Sequence, residues 1–119
     1  MPNQSTRLNG VFHALADPTR RAVIERLGTG SAPMTELARP FKMALPSFAQ
    51  HLDVLESCGL VRSRKSGRVR TYELSPKPLA AAEAWMGERR ALWERRLDQL
   101  DGHLLEMKNE EERKKKEEK

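Results

Sequence analysis

Two clusters of side chains have the types and spacing for chemistry on a polyanion. The first is Ser47, Gln50 and His51, inside ALPSFAQHLDVLESCGLV, residues 44–61. Phe48, Leu52 and Leu55 recur there at helical steps and mark a buried stripe, which leaves Ser47, Gln50 and His51 toward the open face of the helix's N-terminal half. Glutamine can donate to and accept from adenine, and serine can bond a base edge or a phosphate. His51, beside Leu52, equally suits a structural bond to a backbone carbonyl. The second cluster is Arg62, Arg64, Lys65, Arg68 and Arg70, five cations in nine residues with no acid among them. An edge strand uses one or two cations to block unwanted pairing. Five uncompensated ones point instead to phosphate contacts, with one arginine suited to a minor groove.

Catalysis finds little support. There is no glycine-rich phosphate loop, no paired-carboxylate signature and no nucleophile with an adjacent base. Ser47 and His51 are four apart on a helix, but that spacing is common and no third group orients the pair. No cofactor is implied.

The elements that must position the two clusters follow from periodicity. Leu8, Val11, Phe12 and Leu15 predict a short first helix after a frayed stretch 1–6. Asp17 as N-cap and Pro18 at the first helical position open a second, with Val23, Ile24 and Leu27 inward. GTGSAP (28–33) reads as a turn cluster, MTELARPF as a short third helix stopped near Pro40, and Lys42-Met43 as the turn into the fourth. Gly59 closes that fourth helix. The period then changes to that of two strands, about 60–65 and 68–74, with Ser66-Gly67 as the turn between them. Alternation places Arg62 and Arg64 on one face of the first strand and Lys65 on the other, with Arg68 and Arg70 sharing a face of the second. SPKP (75–78) is a break, and a long helix runs from Leu79 to at least Met107. The expected fold is mainly α with a small β-hairpin wing: a winged helix-turn-helix over 1–78, a C-terminal dimerisation helix over 79–107, and a charged low-complexity tail over 108–119 without packed structure. In that arrangement the fourth helix enters a DNA major groove and the hairpin lies on the flanking backbone, with Lys42 and Pro46 near the same surface.

The totals agree with such a partner. The chain has 119 residues, enough for one modest domain, with a formal net charge of +5 and a pI near 9.7. The single cysteine, Cys58, cannot form an internal disulfide and fits a reducing cytoplasm. No apolar stretch resembles a secretory signal or a membrane span, so no membrane partner is expected.

HALADPTRRAVIERL, TELARPFKMALPSFAQHLDVLESCGLV and KSGRVRTYEL together resemble the ArsR family of bacterial winged-helix repressors, over roughly residues 8–105. The resemblance implies a homodimer that binds double-stranded DNA at an imperfect palindrome and blocks transcription. LARPFKMALP and the helix after the wing look like a subgroup often encoded beside a START-like ligand-binding protein. Ala44 and Ala49 stand where relatives usually carry serine. Alanine at the N-cap costs about 0.5–2 kcal/mol relative to serine, and Ala49 removes a hydroxyl that could touch DNA.

Many members of the family sense metals. The cysteine pair such sensors carry in the third helix is absent, and MTELARPF offers only Glu36. Asp101 and His103 reproduce the beginning of the family's other site, but Lys114 occupies the place of its second histidine. Half a site followed by a basic tail is a poor zinc site, so no metal is expected and Cys58 reads as a small apolar residue near a helix end.

In the last helix, Met86, Trp93, Leu100 and Met107 recur every seven residues, and Arg90, Leu97 and Leu104 do so offset by four. This is a coiled-coil-like seam interrupted once, at Arg90, and widened by Trp85 and Leu92. A dimer built on it, with Leu8 and Phe12 of the first helix, would set two recognition helices about one DNA turn apart. The expectation is therefore a homodimeric, metal-independent repressor with an unidentified small-molecule inducer or none. The alternatives are a protein-interaction adaptor with weak DNA binding and a repressor that senses metal on its last helix.

Overall fold

The structure is a computed structural model and describes residues 4–117. It divides into two units, Met1–Glu83 and Ala84–Lys119. The elements are α1 (Gln4–Leu15), α2 (Pro18–Leu27), β1 (Ala32–Pro33), α3 (Met34–Ala38), α4 (Leu45–Ser57), β2 (Val61–Ser66), β3 (Val69–Leu74) and α5 (Pro76–Glu117). α1 begins inside the stretch expected to fray; residues 1–3 lie outside the described residues.

Local chemistry explains most of the boundaries. Asp17 is extended, and its carboxylate accepts from the Arg20 backbone N–H at 3.1 Å, while Pro18 opens α2. α3 stops at Ala38, just ahead of Pro40. Ala44 takes the extended N-cap conformation of α4 without any side-chain cap bond. At the other end Gly59, at φ +82, lets the Gly59 N–H reach the Glu56 carbonyl and the Leu60 N–H reach the Leu55 carbonyl, both at 3.0 Å. This is a Schellman closure, and Leu55 and Leu60, its apolar partners, are fully buried.

Three sequence-based expectations need correction. GTGSAP is not turn alone: Ala32 and Pro33 pair with Tyr72 and Thr71, so the sheet has three strands in the order β1-β3-β2. Two residues are too few to display a period, and Pro33 does not read as a strand former. The hairpin turn is Gly67-Arg68 rather than Ser66-Gly67, because Ser66 pairs with Val69. Gly67 has φ +62, and no described non-glycine residue has positive φ, the pattern of a type II′ turn with glycine first. Arg68 therefore leaves the strand and sits at the tip, where it shares no strand face with Arg70. Finally, α5 starts at Pro76, so SPKP is a helix start and not a break; proline is tolerated throughout a first helical turn.

The core of the first unit gathers residues from each element: Val11 and Ala14, Val23 and Leu27, Ala32, Leu37, then Phe48, Leu52 and Leu55, closed by Leu60, Val61, Tyr72 and Ala82. Phe41 stacks on Phe48 with ring centroids 5.5 Å apart. In the second unit α5 continues to Glu117, and every described residue is exposed except half-buried Gly87. Among the described residues no helix is long and apolar enough to cross a membrane.

Candidate nucleic-acid interface

α4 buries Phe48, Leu52 and Leu55 completely. Its opposite face exposes Pro46, Ser47 and Gln50 at the N-terminal end, and Asp53 and Glu56 toward the C-terminal end. Phosphates are therefore favoured near the first turns, where the helix dipole is positive, and repelled further along. Lys42 and Arg39, in the turn between α3 and α4, are exposed cations whose side chains have no hydrogen-bond or ion-pair partner among the described residues. Arg39 was not singled out from the sequence; its neighbour Pro40 drew attention only as a helix stop.

His51 does not lie on that open face. It is half-buried, and its Nδ1 sits 3.2 Å from an Nη of Arg20 and 3.7 Å from the Asp17 carboxylate. Its structural partner is thus a side-chain pair at the start of α2, where the sequence suggested a backbone carbonyl. Burial pushes the Asp17 carboxyl up, but the backbone N–H of Arg20, His51 and the Arg20 charge outweigh it and hold Asp17 below its ordinary value.

The wing separates its cations by register. Arg62 lies across from Glu73 and pairs with it at 3.4 Å, so the cationic run is not wholly uncompensated. Arg70 donates to Ser63 Oγ at 2.9 Å, and that hydroxyl donates to Glu56 of α4 at 2.7 Å. Tyr72 is buried beneath this link; burial, then the charge of Glu56, push its phenol up despite Arg70. Arg64, Lys65 and Arg68 are exposed and, among the described residues, unpartnered. The acid-free span thus contains three free cations, one paired with Glu73 and one bonded to Ser63 of β2.

These features form an open helix start, two cations in the preceding turn and a cationic ribbon. The helix-turn-helix domain family matches residues 15–64, from the end of α1 into β2. A crystal structure of an ArsR family transcriptional regulator superposes with a TM-score of 0.75 at 53% identity, covering 79% of this chain and 97% of that one. The chain belongs to the ArsR family of transcriptional regulators. An ArsR-like regulator from Rhodococcus sp. RHA1 agrees, with a TM-score of 0.68 at 33% identity over 79% of this chain and 89% of that one. The transcriptional repressor SdpR of Bacillus subtilis is 30% identical over 79 residues, 66% of this chain and 88% of the repressor. An HTH-type transcriptional regulator of Mycobacterium tuberculosis is 47% identical over 70 residues, 59% of this chain; the match spans 65% of that regulator's length, just under two thirds. As an ArsR family member the chain is a DNA-binding transcription regulator with a winged helix-turn-helix and not an enzyme.

Two remaining groups of expected residues lie elsewhere in this ArsR protein. Leu8 and Phe12 of α1 are half-buried against the core of the first unit. In the second unit, Leu92, Trp93, Leu97, Leu100 and Leu104 are 40–62% exposed, as are Met86 and Met107 at 48% and 53%. Trp85 is 37% exposed, with the Arg89 guanidinium 4.6 Å above its ring. Leu105, 59% exposed, widens this apolar surface beyond the seam read from the sequence. Cys58 is half-buried, and its thiol donates to the Leu55 carbonyl at 3.3 Å. Among the described residues no three His, Cys, Asp or Glu side chains gather as a metal site. Asp101 and His103 are two apart on α5, a spacing that turns side chains away from each other.

Proposed function

We propose that the chain is a homodimeric repressor that binds an imperfect palindrome in a promoter without needing a metal. The observation that carries this is the large apolar surface of α5: nine large hydrophobic residues between Trp85 and Met107 are at least 37% exposed. Contiguous apolar surface of this extent marks an association site, and a second copy of the chain offers the same stripe in return. Leu8 and Phe12 are the expected contribution of α1 to that interface. Ser47 and Gln50 then meet base edges, while Lys42, Arg64, Lys65 and Arg68 meet phosphates. Metal independence is supported by the Asp-x-His beginning that ends in Lys114.

The test is a gel-shift titration on the protein's own promoter fragment, on a half-site fragment and on a scrambled duplex, at two salt concentrations, with and without EDTA. Dimeric, metal-free repression requires a salt-sensitive preference for the full site that EDTA leaves intact. Equal affinity for half and full sites would remove the palindrome. Loss of the shift in EDTA would move the reading to a metal sensor, and no preference over scrambled DNA would favour an adaptor.

A further inference from the structure

The Arg20 side chain joins three elements of the first unit. Its Nε donates to the Ala14 carbonyl at 2.7 Å and one Nη donates to the His13 carbonyl at 3.1 Å. Both carbonyls belong to the last turn of α1, where acceptors lack partners within the helix, and that of His13 also accepts from the Ala16 N–H at 3.2 Å. The other Nη faces His51 Nδ1 of α4 at 3.2 Å. Guanidinium can only donate, so in this contact Nδ1 is the acceptor. The Arg20 backbone is itself fixed, because its N–H caps on Asp17.

We propose that Arg20 is a positioning residue for DNA readout: through His51 it sets the rotation of α4 about its own axis, and so the direction in which Ser47 faces. This rests on α4 being the reading helix. Phe48, Leu52 and Leu55 fix which face of α4 meets the core, and a directional bond can set the small rotation that this packing leaves. A charge-assisted hydrogen bond from a planar fork with its other donors engaged is directional. Ser47 lies one helical turn before His51 on the same row, so a displaced imidazole moves the serine with it. The second polar connection from α4, Glu56 to Ser63 and Arg70, anchors the far end of the helix to the wing. The N-terminal half, which the first turns present to DNA, depends on Arg20.

The experiment is a double-mutant cycle on the full chain, reading the affinity ratio between the promoter fragment and a scrambled duplex of equal length. Arg20→Ala and His51→Ala should each lower that ratio about tenfold, the scale of one hydrogen bond to a charged group. The double variant should lose no more than either single one, because Arg20 acts through His51. Scrambled-DNA affinity and its salt slope should stay unchanged in Arg20→Ala. His51→Asn should restore selectivity, since its amide oxygen can accept where Nδ1 did. Additive losses, or an unchanged ratio in both single variants, would overturn the proposal, as would a shallower salt slope in Arg20→Ala, which would make Arg20 a phosphate contact. If Arg20→Ala does not fold, Arg20→Lys and the His51 pair decide: full selectivity in His51→Ala would refute positioning. Wild-type protein without promoter preference would remove the reading of α4 itself, a different result from variants that keep a preference the wild type has.

Discussion

Lys65 stands directly opposite Arg70 across the β2–β3 ladder. Like charges at directly opposed positions destabilise a sheet, and Arg70 relieves part of the strain by turning toward Ser63. An anion between the strands would relieve the rest. Lys65→Thr should therefore raise the stability of the free protein by about 0.2–1 kcal/mol, measured by urea titration. The same variant should weaken DNA binding and reduce the salt slope by about one unit. A variant that gains stability and keeps its affinity would take Lys65 out of the interface.

The wing arginines should not be equal. Arg62 is paired with Glu73, whereas Arg68 at the turn has no partner among the described residues. Arg68→Ala should cost more affinity than Arg62→Ala, and only the former should clearly flatten the salt dependence. Equal losses would mean that the Glu73 pair opens on DNA.

Ala44 already has extended N-cap geometry, at φ −64 and ψ 145. Ala44→Ser requires no backbone change and should stabilise the protein by about 0.5–2 kcal/mol, read as a higher urea midpoint at constant m-value. No gain would mean that the first N–H groups of α4 are satisfied by water as well as by a hydroxyl.

Asp17 supplies a pH dependence. Its folded-state value lies below the ordinary 3.8, so the carboxylate's stabilisation is complete above that pH. It is lost as pH falls through the lower folded value. Asp17→Asn keeps a cap oxygen but removes the titration. The wild-type advantage over Asp17→Asn at neutral pH should shrink under acid, below pH 3.8. A gap that is constant with pH would show that the charge contributes nothing.

Trp93 and Leu97, 62% and 55% exposed, stand at the middle of the α5 stripe. Replacing both with glutamate should give monomers in sedimentation, with intact helical signal and poor promoter affinity. A double variant that still sediments as a dimer would place the interface elsewhere.

The sequence made the architecture legible where one face of an element is buried. Phe48, Leu52 and Leu55 announce α4, Asp17-Pro18 announces the start of α2, and Gly59 its counterpart at the end of α4. It was less legible where the outcome depends on partners far along the chain. β1 exists because β3 has a second edge to satisfy, a fact carried by Thr71 and Tyr72 and not by Ala32-Pro33. Ser66-Gly67 and Gly67-Arg68 are both plausible turns, and a shift of one residue moved Arg68 from strand to tip. The pairing of Arg62 with Glu73 follows only from that register. Helical spacing placed His51 on the open face with Ser47 and Gln50, but Arg20, thirty-one residues earlier, takes its ring to the start of α2.

The extent of β1 also sets a gradient of local stability along the wing. β1 reaches only Thr71 and Tyr72, so the ribbon beyond them is two strands wide, and residues 64–70 are exposed throughout. The ribbon's root shares the core with Leu60 and Val61, so it is expected to open only with the unit as a whole. The tip can fray and re-form by itself, and its backbone amides should exchange with deuterium by local opening while that of Tyr72 waits for global unfolding. A wing with these properties would be compliant at its end and rigid at its base, with Arg70, Ser63 and Glu56 passing movement of the ribbon on to α4.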